Sequence, residues 1–261
     1  MQHLLDETLA AIEQRIAGKR TALAFSGGKD SQACLELLRP NWGALTVYWL
    51  NTGDALPETE EVVRRAQAEV PHFVEVKTDV RAWRRQHGDP VDLVPVTAEP
   101  IGMMYGMSGR GLVSRFACCF HNLMLPLHEC LLRDEVEVVI RGTKLADTGQ
   151  VPHDGPSDVY DVFLPLLNWS HDDVFSFLNQ RGIATSAVYS QLDEMHISAP
   201  ECLHCTAWWD DNKASYLKRA HPEVHQEYVV ALTAVRAELQ RHIKNLDHEI
   251  GGASWRTLQV D

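Results

Sequence analysis

The sequence predicts an α/β fold in which a parallel, twisted sheet carries helices on both faces and a helical extension follows at the carboxyl end. Three observations predict it. Short apolar runs rich in β-branched residues alternate with segments of helical periodicity as far as about residue 165. The first of these runs passes through a glycine pair straight into a helix, and beyond residue 165 only helical signals remain. Such alternation requires crossover connections, which place helices on both faces of a sheet. With 261 residues, 45% of them hydrophobic, the chain can bury one sizeable core.

Taken in order, strands are expected at TALAFS (21–26), ALTVYWLN (44–51), HFVEVKTD (72–79) and VEVVIRGT (136–143). Each is bounded by turn or helix signals and reads as a buried parallel strand. Between them DSQACLELL, PETEEVVRRAQAEV and HNLMLPLHECLL show helical spacing, the second opening on the proline and acidic residues that suit a helix amino end. NWSHDDVFSFLNQRG is a helix with Ser170 as amino cap and Asp173 three residues on. The last long helix starts near Pro222. Val224, Tyr228, Leu232, Val235, Leu239, Ile243 and Leu246 recur along it every three or four residues, and Gly251 and Gly252 stop it. That stripe suits ordinary packing, with a homodimer face as the alternative. Residues 88–115, with Pro90, Pro95, Pro100 and several glycines and methionines, are expected to form a long irregular stretch of the kind used as a lid. Residues 1–205 are read as the α/β domain with its amino-terminal helix, and residues 206–261 as a helical extension packed on it.

The amino-terminal segment carries Asp6, Glu7 and Glu13 where a secretory signal needs a basic start and an unbroken apolar run. The longest apolar stretches, such as GALTVYWL, are under half of a spanning helix. A soluble, cytoplasmic protein with no membrane contact is expected. Thiols stay reduced in that compartment, so six cysteines point to metal, cluster or catalytic use and not to disulfides. A net charge of −12 repels polyanions, so nucleic acid is a partner only where basic residues are gathered locally.

The chemistry starts at SGGKDS, Ser26 to Ser31. A glycine pair between strand and helix lets the backbone turn tightly and present several N–H groups at one point, and the helix adds its positive amino end. That geometry binds phosphate. The spacing is not the Walker pattern, so ordinary γ-phosphate transfer is not indicated. The hexapeptide resembles the PP-loop of the ATP pyrophosphatase superfamily. WLNTGDALPETEEVV (49–63), IRGTKLADT (140–148) and PLLNWSHDDVFSFL (165–178) are similar, in that order, to blocks of the phosphoadenosine phosphosulfate reductase family. The match spans most of residues 20–210, and the overall layout is similar to that of short, phage-type members.

The resemblance implies an adenine nucleotide alpha hydrolase-like fold, ATP or a related adenine nucleotide as ligand, and Mg2+ as its companion. It implies that Ser26, Gly27, Gly28, Lys29, Asp30 and Ser31 cradle the phosphates, that Leu50 and Asn51 border the nucleotide, and that Gly142 and Lys144 close the site. Lys29, Asp30 and Lys144 would carry the catalytic roles, the two lysines offsetting charge that develops during adenylyl transfer. Lys144 also ends a strand where open α/β sheets bind ligands.

FACCFHN holds the vicinal pair Cys118 and Cys119, and ECLHCTAWW supplies Cys202 and Cys205 at a chelating spacing. A CxxC by itself admits a redox dithiol or half a zinc site, and His121, His128 and His204 keep a mixed Cys and His zinc site open. A vicinal pair, a long gap and CxxCT together resemble the four-cysteine [4Fe-4S] signature of adenylylsulfate reductases. Cys34 and Cys130 fall inside apolar helical runs and read as buried structural thiols.

Three features depart from those reductases. No cysteine follows Cys205, so the tail nucleophile of the thiosulfonate route is missing from this chain. Asn122 and Leu123 stand where basic residues are expected, and the phosphate loop is of the intact ATP type. The expectation is therefore an ATP-binding, iron-sulfur enzyme of sulfur metabolism that transfers an adenylyl group with release of pyrophosphate. Its partner would be a sulfur acceptor or an electron-donor protein. The alternatives are a sulfonucleotide reductase that uses a thiol supplied in trans, and a non-catalytic nucleotide sensor with a structural metal centre.

Overall fold

The computed structural model describes residues 2–95, 98, 104, 110–148, 152–191, 202–209 and 213–251. These residues form two compact units, one built from residues 1–79 and 121–202, the other from 80–120 and 203–261.

The first unit is a five-stranded sheet. Its elements are α1 (Gln2–Ile16), β1 (Thr21–Ala24), α2 (Lys29–Leu37), β2 (Leu45–Asn51), α3 (Pro57–Glu69) and β3 (Phe73–Lys77). All strand pairs in this sheet are parallel, β1 lying between β2 and a later strand, Val138–Ile140. The predicted strands are thus present, each shorter than its apolar run and the one expected over 136–143 reduced to Val138–Ile140, together with a fifth, Asp161–Phe163, paired to it. Three residues without β-branched enrichment beyond Val162 gave that strand no sequence signal.

Neighbouring residues in each strand face opposite layers, as the pleat demands. Leu23, Val47 and Ile140 enter a core with Ile12 of α1, Ala33 and Leu37 of α2, and Val62 of α3. Ala22, Tyr48 and Val139 enter a second core with Leu127, Cys130 and Leu131. Both faces are therefore covered, which explains why these strands read as continuous apolar runs. The expected helix HNLMLPLHECLL is divided: Phe120–Met124 forms a π-turn, and a regular helix begins only at Leu125, with Pro126 in its first turn. A proline lacks the N–H of a helix interior, so the regular hydrogen-bond ladder starts at it. The capping box is present as predicted, Ser170 and Asp173 exchanging bonds at the head of His171–Gln180.

The second unit contains the helix Val80–His87, then two short parallel strands, Asp89–Val91 and Leu112–Ser114. These correct the expectation of an irregular stretch over 88–115 at both of its ends; most of 96–109 lies outside the described residues. Pro90 sits in the first strand, where a short edge ladder tolerates its missing N–H. The helix Arg115–Cys119 follows directly. Near the carboxyl end come Lys213–Ala220 and the long helix Pro222–Glu249, which ends before Gly251 at φ 77°. Of its predicted apolar stripe Tyr228 and Val235 are buried, Val235 in a small core with Val91 and Leu112. Ile243 and Leu246 remain half exposed, so the stripe is not packed along its whole length. Among the described residues no helix is long and apolar enough to cross a membrane.

Candidate functional site

The chain leaves β1, builds β2 and β3 on one side, and returns to add Val138–Ile140 on the other. The carboxyl ends of β1 and Val138–Ile140 are therefore the point where strand order reverses, the usual ligand crevice of such sheets. Two loops meet there. The first is Ser26–Gly28, and the second is Arg141–Lys144.

Gly27 turns the first loop with φ 80°, and a Cβ there would stand 2.9 Å from the Thr59 methyl. Gly28 caps α2 in extended conformation with no side-chain cap. The loop is tied internally, Ser31 Oγ donating to the Gly28 carbonyl at 2.9 Å and Gln32 Nε2 donating to the Gly27 carbonyl at 3.2 Å. Ser26 Oγ lies 3.3 Å from Ser31 Oγ. Gly142 of the second loop is required for contact: a Cβ on it would approach the Asp30 carbonyl carbon to 2.8 Å. Glycine at this position lets the second loop lie directly on the first turn of α2.

That approach assembles a chain of charges. Lys29 Nζ and Lys144 Nζ each lie 2.7 Å from an Asp30 oxygen, one on either carboxylate oxygen. Lys144 Nζ also contacts Asp147 at 2.9 Å. Both lysines are buried, 1% and 0% exposed, while the carboxylates keep contact with water. Burial pushes the Lys29 pKa down, and the Asp30 carboxylate opposes it. His171, first residue of its helix, points Nε2 toward Asp147 Oδ1 at 3.9 Å. Burial, then Lys144 and Lys29, hold its pKa below the ordinary histidine value.

Tyr189 completes the wall. Its hydroxyl accepts the Lys29 N–H at 3.1 Å, and its ring packs edge-on to Phe175 with centroids 5.6 Å apart. The Lys29 ammonium stands 5.8 Å from both rings. Sequence reasoning missed Asp147, His171 and Tyr189. Asp147 had a signal, lying three residues after Lys144, where side chains share a helix face. His171 was read only as part of a capped helix, and Tyr189 has no local signature.

Leu50 packs on the second core, under the sheet end. Asn51 closes β2 by donating to Glu75 Oε1 at 2.6 Å and accepting the Gly53 N–H at 2.9 Å. Its amide thus shapes the turn that follows. Cys202 is carried to that turn: it bridges to Ala55, and its sulfur lies 3.8 Å from Thr52 Oγ1.

The remaining cysteine segments belong to the second unit. Asp92 gathers them, accepting Trp208 N–H at 3.1 Å, Trp209 N–H at 2.9 Å and an Arg115 N–H at 2.9 Å. The Arg115 guanidinium lies 3.8 Å over the Trp208 ring. The helix that bears Cys118 and Cys119 is thereby tied to the segment that follows Cys205. Trp208 takes φ 64°, a left-handed backbone that costs a bulky residue energy and is held here by the Asp92 bonds. Among the described residues the six cysteines form no disulfide. Four thiols are the right donors for iron-sulfur chemistry. No three His, Cys, Asp or Glu side chains are gathered as a metal-ligand set among the described residues. Cys34 is fully buried and its thiol is pushed up by that burial, while Cys130 is 7% exposed.

No protein-family model matches the sequence, and no curated protein does. Solved structures align with the chain, and the first of them shares its fold. The phosphate complex of phosphoadenylyl-sulfate reductase from Candida auris aligns with a TM-score of 0.53 at 14% identity, over 77% of this chain and 93% of that one. FMN adenylyltransferase from Candida glabrata, solved with ATP, aligns with a TM-score of 0.48 at 15% identity, over 73% of this chain and 58% of that one.

Proposed function

We propose that the chain binds the phosphates of ATP, as the magnesium complex, on the loop Ser26–Ser31 and transfers the adenylyl group with release of pyrophosphate to an acceptor in sulfur chemistry. The observation that carries this reading is the pair of buried lysines, from two different loops, converging on Asp30. A buried ammonium is costly unless paired. Lys29 and Lys144 meet that cost in the free protein through Asp30 and Asp147, and a polyphosphate would supply the same compensation when bound. The amino end of α2 adds its positive pole on the same side, with the Ser26 and Ser31 hydroxyls 3.3 Å apart beside it. As the bond from the α-phosphorus to the departing pyrophosphate breaks, negative charge grows where the lysines stand. Leu50 and Asn51, at the end of β2, would border the base and ribose, and Gly142 lets Lys144 reach the phosphates.

The finer part of the reading assigns Cys118, Cys119, Cys202 and Cys205 to a [4Fe-4S] cluster, on the chemistry of the donors and the resemblance of their spacing. A second reading, reduction of a sulfonucleotide by a thiol supplied in trans, is favoured by the fold of the Candida auris reductase. The burial of Cys34 and Cys130 supports a thiol from outside in that case, because burial disfavours the thiolate that attacks sulfur. Calorimetry with ATP tests the common part, and a wild-type protein that binds no ATP ends it. Exchange of labelled pyrophosphate into ATP favours adenylyl transfer. Thiol-dependent reduction of adenylylsulfate without that exchange favours the second reading. Anaerobic protein should be brown with about four irons per chain; a colourless protein with one zinc would remove the cluster and leave the nucleotide reading standing.

A further inference from the structure

One imidazole nitrogen of His171 sets this side chain apart from the rest of the site. Its Nδ1 is buried without a hydrogen-bond partner among the described residues. A buried polar atom in that condition costs about 1–3 kcal/mol, and native folds rarely keep one without a use. The position is not accidental slack, because the Ser170 and Asp173 capping box fixes the backbone at the helix start. The other nitrogen points elsewhere. Nε2 faces Asp147 Oδ1 at 3.9 Å, on a carboxylate that also accepts from Lys144 at 2.9 and 3.1 Å.

We propose that His171 is a further phosphate-binding residue of this site, its Nδ1 taking up a proton as a polyphosphate binds and donating it in a hydrogen bond to a phosphate oxygen. The inference rests on the nucleotide reading above and adds to it a residue and a proton. The groups that face His171 are Lys144 from the loop after Val138–Ile140, Asp147 from the short helix Leu145–Thr148, and Lys29 and Asp30 from the start of α2. In the free protein the two ammonium groups and burial keep the ring neutral, so Nδ1 presents a lone pair when Nε2 holds its proton toward Asp147. A phosphate oxygen has no proton to offer that lone pair. Its charge cancels the field of the lysines instead, and the ring then gains a proton from solvent and becomes a donor on both nitrogens. Each proton gained makes the bound complex less negative by one charge.

The test is calorimetry of the full chain with ATP, and separately with pyrophosphate, in buffers of different ionisation heat near neutral pH. Wild type is expected to take up as much as about one proton per ligand bound. His171→Asn, which keeps a small polar side chain, is expected to take up fewer by that proton and to bind at least about tenfold more weakly. Histidine labelled with nitrogen-15 provides a readout on wild type alone, since the Nδ1 signal should move from a bare to a protonated shift when ATP is added. Binding by wild type with no change in that signal, or equal proton uptake by the variant, overturns the proposal while leaving the nucleotide site intact. Absence of any binding by wild type overturns both.

Discussion

The two units solve the problem of holding reactive side chains in opposite ways. In the first, the groups of interest sit at the ends of hydrogen-bonded parallel strands, and main-chain contact between Gly142 and the first turn of α2 sets their spacing. In the second, the cysteine-bearing segments are held by side chains, three donors converging on Asp92 and one guanidinium stacked on Trp208. Charge divides the same way. Aspartate and glutamate outnumber lysine and arginine about two to one in the first unit, and the two kinds are nearly equal in the second, so the whole of the net charge of −12 comes from the unit with the buried lysines. The comparison teaches that a net acidic unit can still gather two buried ammonium groups at one point. Field at a site is set by the nearest groups, and the more distant carboxylates are screened by solvent.

The largest effect is expected where main chain sets the spacing. Gly142→Val should abolish ATP binding by calorimetry and lower the melting temperature, because its Cβ meets backbone of Asp30 and Ser31 and not a flexible side-chain tip. Normal affinity in that variant would break the claim that the two loops form one site. Lys144→Met comes next. It leaves Asp30 and Asp147 facing each other without the shared ammonium, but both carboxylates touch water, so the loss of stability should be about 2–3 kcal/mol, below the range for fully buried pairs. ATP affinity should fall at least about tenfold with it.

Asp92→Ala sharpens the contrast from the other side. It removes three hydrogen bonds and the support for the left-handed Trp208, and about 1–3 kcal/mol of stability should go with them in denaturant unfolding. ATP affinity should stay unchanged, since every contact it breaks lies in the second unit. The smallest effect concerns pH. Ser170 holds the Asp173 carboxyl below its ordinary value by side-chain and backbone hydrogen bonds. A depressed carboxyl adds stability that is fully present above its unfolded pKa, near 3.8, and is lost as pH falls through the lower folded value. Asp173→Asn should therefore cost about 1 kcal/mol near neutral pH, and the gap to wild type should close in acid. A gap that persisted at the lowest pH would assign the stability to something other than the ionised cap.

Much of the first unit was legible because its signals are local. A buried parallel strand needs a continuous apolar run, a glycine pair marks a tight turn between strand and helix, and a Ser170 and Asp173 spacing reports a helix start without reference to the rest of the chain. Less of the second was legible. Asp89–Val91 and Leu112–Ser114 are three residues each, too short for periodicity, and one of them contains a proline. Their pairing depends on Gly88 and Gly111 passing in close contact, a fact of distance that the order of residues does not contain.

By itself the sequence determined the fold class, the glycine turn between the first strand and the helix at residues 26–31 and the presence of four cysteines in two spaced pairs, because each of these depends on residue type and on separations of a few positions. Tertiary structure alone decided that Lys29 and Lys144, 115 positions apart, share one carboxylate, that Tyr189 occupies the Lys29 amide, and that Asp92 collects the tryptophan segment. It also left the His171 Nδ1 without a partner among the described residues. The reason is physical: a strand or a turn is specified by interactions along the chain, whereas the ionisation, burial and satisfaction of a side chain depend on which remote segment the sheet brings beside it.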